Sequence, residues 1–185
     1  MRKNFGPKPL TYPQPVFIIA TYNEDGTANA MNAAWGGISC DEEIMICLAE
    51  NHKTTENLRR NPDFTISMAT KDYLEACDYL GIETGSKVAN KLERCGLTTT
   101  KAEFVNAPLI NELPLTIECT MTSYETEMCH LFAEIKNVSA DETILTDGKV
   151  DPTKLKPLVF DPFNMTYLEA SEAVGKAFNA GLKFK

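Results

Sequence analysis

The apolar runs of this chain are all short, and turn signals follow most of them. That pattern limits the fold to strands of ordinary length folded back on one another. Val16 to Tyr22 reads as the first strand, and Asn23-Glu24-Asp25-Gly26 as a hairpin turn in which Gly26 is free to take positive φ. Ala28 to Trp35 returns, and Gly36-Gly37 then lets the backbone bend or another group approach closely. Ile44 to Leu48 is a continuous apolar run, the signature of a strand buried on both faces, and extends to Ala49. Phe64 to Met68 and Thr116 to Met121 alternate with period two. A turn near Glu125 to Met128 leads into His130 to Ile135, which should pair with the preceding strand, and Leu158 to Phe160 is a last short strand.

The helical patterns are brief. One begins near Leu58 and stops near Asn61-Pro62, because proline disfavours helical geometry in the residue before it. Others cover Lys71 to Leu80 with Thr70 as cap, Lys87 to Arg94 between a Ser86 cap and Gly96, and Glu169 to Phe178. Gly81 to Gly85 reads as a loop, Ala102 to Val105 as a short strand, Pro108 and Pro114 as the brackets of a loop, and Asp147-Gly148 as a surface turn. The proline-rich start cannot be helical, so residues 1–14 form an extended N-terminal arm. The expected class is mainly β (α+β), an antiparallel barrel with short peripheral helices rather than a doubly wound sheet. No G-x-G-x-x-G fingerprint, internal repeat or linker is present, and 185 residues fit a single domain over 1–185.

Composition narrows the function. A hydrophobic share of 43% with 24% charged residues is that of a globular protein. A formal charge of -8 without a basic cluster argues against a nucleic-acid partner. No apolar stretch nears the roughly 20 residues of a membrane span. Pro7, Pro9, Pro13 and Pro15 occupy the place of a signal peptide's apolar region, so a cytoplasmic location with no membrane partner is expected. Six cysteines at scattered spacings lack a C-x-x-C pair, and only His52 and His130 could join them, so no metal site is expected.

The chemistry concentrates in Asn51-His52-Lys53-Thr54-Thr55-Glu56-Asn57, the step from an apolar strand into a helix. A lysine, two threonine hydroxyls and the free amides at the positive end of a helix favour an anion, and a phosphate in particular. Thr54 as a plain N-cap and Lys53 as a solvated charge account for the same residues without a ligand.

An ordered series of motifs gives this region its context. It runs through Pro15-Val16, Asp25-Gly26, Asn29-Ala30-Met31-Asn32-Ala33-Ala34-Trp35, Lys53 to Leu58, Gly85-Ser86-Lys87, Asn90-Lys91-Leu92, Pro108-Leu109-Ile110, Glu118-Cys119, Ala133-Glu134-Ile135 and Tyr167. In this order and spacing the chain resembles the flavin reductase-like family, over about Pro15 to Ala180. The resemblance implies a split antiparallel β-barrel that binds FMN. It places Asn32, Ala33, Ala34 and Trp35 beside the isoalloxazine, and Lys53, Thr54 and Thr55, with Asn51 and Asn57, around the ribityl phosphate. Trp35 reads equally as a core aromatic, and Ser86 and Lys87 either reach the flavin or only cap a helix. The pattern departs at Glu42-Glu43, where prolines are expected, and at Asn90-Lys91, where Asp-Lys is expected; His130 is assigned no role.

The implied activity is oxidoreduction through FMN, with electrons arriving from NAD(P)H or a redox protein partner and leaving to an acceptor. No catalytic side chain is needed, since the cofactor carries the electron chemistry. A non-enzymatic FMN electron carrier is the alternative, and a non-flavin binding module on the same barrel a more distant one. The resemblance also implies a homodimer, with the proline-rich arm and the C-terminal segment as contact candidates.

Overall fold

Fourteen strands form: β1 (Gln14–Pro15), β2 (Phe17–Tyr22), β3 (Ala28–Ala33), β4 (Gly36–Cys40), β5 (Glu43–Cys47), β6 (Asp63–Met68), β7 (Thr99–Lys101), β8 (Pro108–Ile110), β9 (Leu115–Glu125), β10 (His130–Ala140), β11 (Leu145–Thr146), β12 (Lys149–Val150), β13 (Leu158–Asp161) and β14 (Thr166–Glu169). Four short helices accompany them: α1 (Lys53–Arg60), α2 (Leu74–Ile82), α3 (Lys91–Arg94) and α4 (Pro152–Leu155). The computed structural model describes residues 1–185. Its main sheet has seven strands in the order β3-β2-β6-β9-β10-β5-β4, with every neighbouring pair antiparallel. The sheet does not close, because β3 and β4 are its two edges; this is a split barrel. A smaller sheet, β1-β13-β14, is hydrogen-bonded separately and packs on the same core through Leu158 and Phe160.

Turn chemistry sets the first register. Gly26 adopts φ +81° and Thr27 donates its amide to the Asp25 carboxylate, so Phe17 pairs with Ala33 and Tyr22 with Ala28. The strand buried on both faces is β2. Ile18 and Ala20 face one core with Cys77, Leu80 and Leu92, while Phe17 and Ile19 face the other with Ile46, Phe64 and Leu131. At about 1.5–3 kcal/mol for each large apolar side chain removed from water, this single strand joins both cores to the sheet. The same expectation for Ile44 to Leu48 is corrected. Ile44, Ile46 and Leu48 are buried, but Met45 and Cys47 are only half-buried, because β5 lies next to the edge strand β4. Gly36 confirms the expected close approach: a Cβ there would stand 2.7 Å from the Met45 carbonyl oxygen.

Other expectations change with tertiary context. β3 stops at Ala33, and Gly36–Cys40 forms an unforeseen strand on the outer side of β5. α2 runs to Ile82 after a 3-10 turn at Lys71–Tyr73, and the Thr70 side chain makes no cap bond. The helix expected from Lys87 shrinks to Lys91–Arg94. Amides of Ser86, Lys87 and Val88 bond back to Thr84 instead, closing a turn that competes with helix. The strand near residue 102 is Thr99–Lys101, paired with Pro108–Ile110 where a loop was expected. The terminal helix does not form. Glu169 ends β14, and Val174 and Phe178 are fully exposed, so no core holds an isolated helix that short. No helix is long and apolar enough to cross a membrane.

Candidate functional site

α1 begins two residues earlier than a Thr54 cap requires. His52 is its N-cap, with extended backbone and no side-chain cap bond. The first backbone bond of the helix runs from the Glu56 amide to the His52 carbonyl at 3.1 Å, which leaves the amides of Lys53, Thr54 and Thr55 without intrahelical acceptors. Asn29 on β3 donates its side-chain amide to the Thr54 hydroxyl oxygen at 3.1 Å, and the Thr54 proton stays available. Lys53 pairs with Glu56 at 2.7 Å.

The C-terminal end of α2 faces this helix start. Lys91 is only 3% exposed, and its ammonium donates to the carbonyls of Leu80 at 3.0 Å and Glu83 at 2.8 Å. These are the unpaired acceptors at the negative end of α2, where a cation is favoured. Burial nevertheless pulls the Lys91 pKa from 10.5 down to about 8. Two of its three protons are engaged in these bonds. Gly85 completes the wall: a Cβ there would lie 2.0 Å from the Asn29 Oδ1, so any larger residue would displace the Asn29 side chain from its bond to Thr54. The resulting cleft is about 150 Å³ and is lined by Asn29, His52, Lys53, Thr54, Gly85 and Lys91, among others. The His52 Nδ1 is buried with no hydrogen-bond partner, and its pKa is lowered by burial and then by the Lys91 charge.

A second hollow of about 330 Å³ adjoins the first, and both are lined by Asn32, Gly81 and Ile82. Ala33, Ala34, Trp35 and Phe160 give it an apolar wall, and Asp78 and Tyr167 line it as polar groups. Trp35 is not a core residue: it is 40% exposed, with its ring centroid 5.8 Å from that of Phe160 and the planes 34° apart. Asn32 is tied to α2 by a 3.1 Å bond to the Cys77 carbonyl. Gly81 keeps that junction open, since a Cβ on it would meet the Asn32 Cβ at 3.1 Å.

The structure therefore brings together Asn32, Ala33, Ala34, Trp35, Lys53 and Thr54. Thr55 is buried and turned back to the Ala49 carbonyl at 2.8 Å, which anchors the helix start on the strand exit. Asn57 lies elsewhere. Its amide donates to Thr21 and Asn23 and its oxygen accepts from Arg60, within a separate polar hollow beside Lys101. Asn51, Ser86 and Lys87 are exposed and line neither cleft. His130 stands opposite Cys47 at the start of β10 and also lines neither. Sequence reasoning gave no role to Lys91, Gly85, Asn29, Phe160, Asp78 or Tyr167. Lys91, Gly85, Asn29 and Tyr167 lie inside the motif series, but their partners are carbonyls and side chains elsewhere in the chain.

The flavin reductase like domain model matches residues 10–167. The chain belongs to the flavin reductase-like family. Among solved structures it is similar to flavoredoxin of Desulfovibrio vulgaris (Miyazaki F), at 35% identity and a TM-score of 0.93, over 98% of this chain and all of that one. Flavoredoxin from Methanosarcina acetivorans superimposes over the whole of both chains with a TM-score of 0.87 at 24% identity. An FMN-binding domain of flavin reductase-like enzymes from Shewanella baltica OS155 shares the fold at 18% identity, with a TM-score of 0.76 over 88% of this chain and 89% of that one. The joined clefts suit a flavin nucleotide. One end offers two ammonium groups, free amides and an orphaned imidazole nitrogen, and the other an apolar wall with an aromatic pair.

Proposed function

We propose that this chain is an FMN-binding oxidoreductase of the flavin reductase-like family, with residues 1–185 acting as one FMN-binding unit. The observation that carries the reading is the continuity of a small cationic cleft with a larger apolar one through Asn32, Gly81 and Ile82. Lys53, the Thr54 hydroxyl, the free amides at the start of α1 and the remaining Lys91 proton hold the phosphate. Ala33 and Ala34 let a planar ring lie close to backbone, with Trp35 and Phe160 beside it. When bound, FMN supplies the hydride and electron chemistry. The protein binds and orients it and leaves one side accessible, since Trp35 and Ile82 are both exposed at the cleft rim. NAD(P)H or a redox protein delivers electrons at that open side. Tyr167, the phenol in the cleft, is held protonated by a pKa of about 12, so it is not a proton shuttle at neutral pH.

A non-enzymatic FMN electron carrier is the second reading. The acidic balance of 26 acids against 18 bases favours docking to a basic partner protein. We also infer a homodimer, because Val174, Phe178, Leu182 and Phe184 are exposed along one C-terminal segment that packs on little of its own chain. Trp35 is the only tryptophan, so its fluorescence reports on the ring cleft alone. FMN titration should quench it with saturation, and anaerobic NADH or NADPH should bleach the bound flavin. Unquenched Trp35 fluorescence and unaltered FMN fluorescence would refute flavin binding. Quenching without bleaching by either nucleotide would select the carrier.

A further inference from the structure

We propose that the Asp78 carboxylate, held at the edge of the ring cleft by the Tyr167 phenol, lowers the reduction potential of the flavin bound there. The proposal rests on the FMN reading of the site and assigns Asp78 a positioning role through charge, not a catalytic one.

Three observations carry it. Tyr167 lies on β14 opposite Phe160 of β13, while Asp78 lies on α2, and the phenol donates to the Asp78 Oδ1 at 2.7 Å across 89 residues of sequence. Both side chains line the hollow that also holds Ala33, Ala34 and Trp35. No Lys, Arg or His stands within ion-pair distance of Asp78, in contrast to Asp72, which has Lys156 at 3.3 Å. The joined clefts are therefore polarised, with Lys53 and Lys91 at the small end and an unpaired carboxylate at the large one.

The phenol's contribution is to keep that charge in one place. Burial, followed by Asp78 itself, pushes the Tyr167 pKa up to about 12, so the hydroxyl is a donor at any physiological pH. Two-electron reduction of an isoalloxazine with uptake of one proton adds one negative charge to the ring. A fixed carboxylate in a partly dehydrated cleft opposes that charge, while leaving the neutral oxidised ring almost unaffected. The oxidised form is favoured, and the flavin becomes a stronger electron donor.

The experiment compares FMN-loaded wild type, Asp78→Asn and Tyr167→Phe in anaerobic equilibrium with a reference dye at pH 8, with FMN affinity measured in parallel. Asp78→Asn should raise the reduced-to-oxidised ratio at fixed poise about tenfold, which is about 30 mV for a two-electron couple. Its FMN affinity should stay within a few-fold of wild type, because the phosphate end is untouched. Tyr167→Phe should move the potential in the same direction by less, since the charge persists but is no longer held. It carries the comparison if Asp78→Asn does not fold. Variants that bind FMN at the wild-type potential would overturn the proposal and leave the flavin site standing. Wild type that binds no FMN would overturn both.

Discussion

Lys91→Met should remove a pH dependence of stability that wild type carries between about pH 8 and pH 10.5. In the folded chain the ammonium is buried and its pKa lies at about 8 rather than 10.5. Below pH 8 both folded and unfolded chains hold the proton, and the full cost of the buried charge is present. As pH rises from 8 to 10.5, the folded chain has released a proton that the unfolded chain still holds. Stability therefore rises with pH in that window and is flat again above it. At about 1.4 kcal/mol per pH unit, the full effect is about 3 kcal/mol. Since pH 10 falls short of the end of the window, about 2 to 3 kcal/mol should appear between pH 7 and pH 10. Loss of a donor to the Leu80 and Glu83 carbonyls also destabilises the variant, but that term does not change with pH. The measurement is urea unfolding of both proteins at pH 7 and pH 10, read as the difference between them so that other titrating groups cancel. Wild type should gain on the variant by the stated amount, and less with FMN bound, because a phosphate favours the charged amine. A difference that stays constant between the two pH values would refute the account of Lys91 as a buried cation kept for an anion.

Two more expectations follow from the site and the surface. Lys53→Ala removes a charge-assisted contact worth about 1.5–3 kcal/mol, so FMN affinity measured by Trp35 quenching should fall about 10- to 100-fold; unchanged affinity would remove Lys53 from the phosphate site. Light scattering at micromolar concentration should give twice the chain mass, and deletion of residues 171–185 should shift it toward one; a full-length monomer would count against the dimer.

Local sequence carried much of the strand pattern for plain reasons. A period-two alternation or an apolar run needs no distant partner to be recognised, and Asp25-Gly26 sets its own hairpin. It failed where two local outcomes compete. Thr84 captured the amides that would have begun a helix at Lys87, and residues 169–178 had helical composition but no surface to dock on. Within the candidate site, Lys53 and Thr54 could be read together as an anion-favouring helix start because they are contiguous in sequence. Thr55 and Asn57 shared that stretch, yet successive residues of a helix point in different directions, so they turned to Ala49 and to Thr21 and Asn23.

What the chain alone determined is the inventory: a mainly antiparallel β protein, a cationic helix start and a small-residue segment ending in Trp35. Which of these meet was decided by the fold. Asn32 reaches Cys77, Lys91 the end of α2, and Tyr167 reaches Asp78 from 89 residues away. Hydrogen bonds and charges act over a few ångströms of space, and only the packing of β3, α3 and β14 around α2 makes those ångströms short.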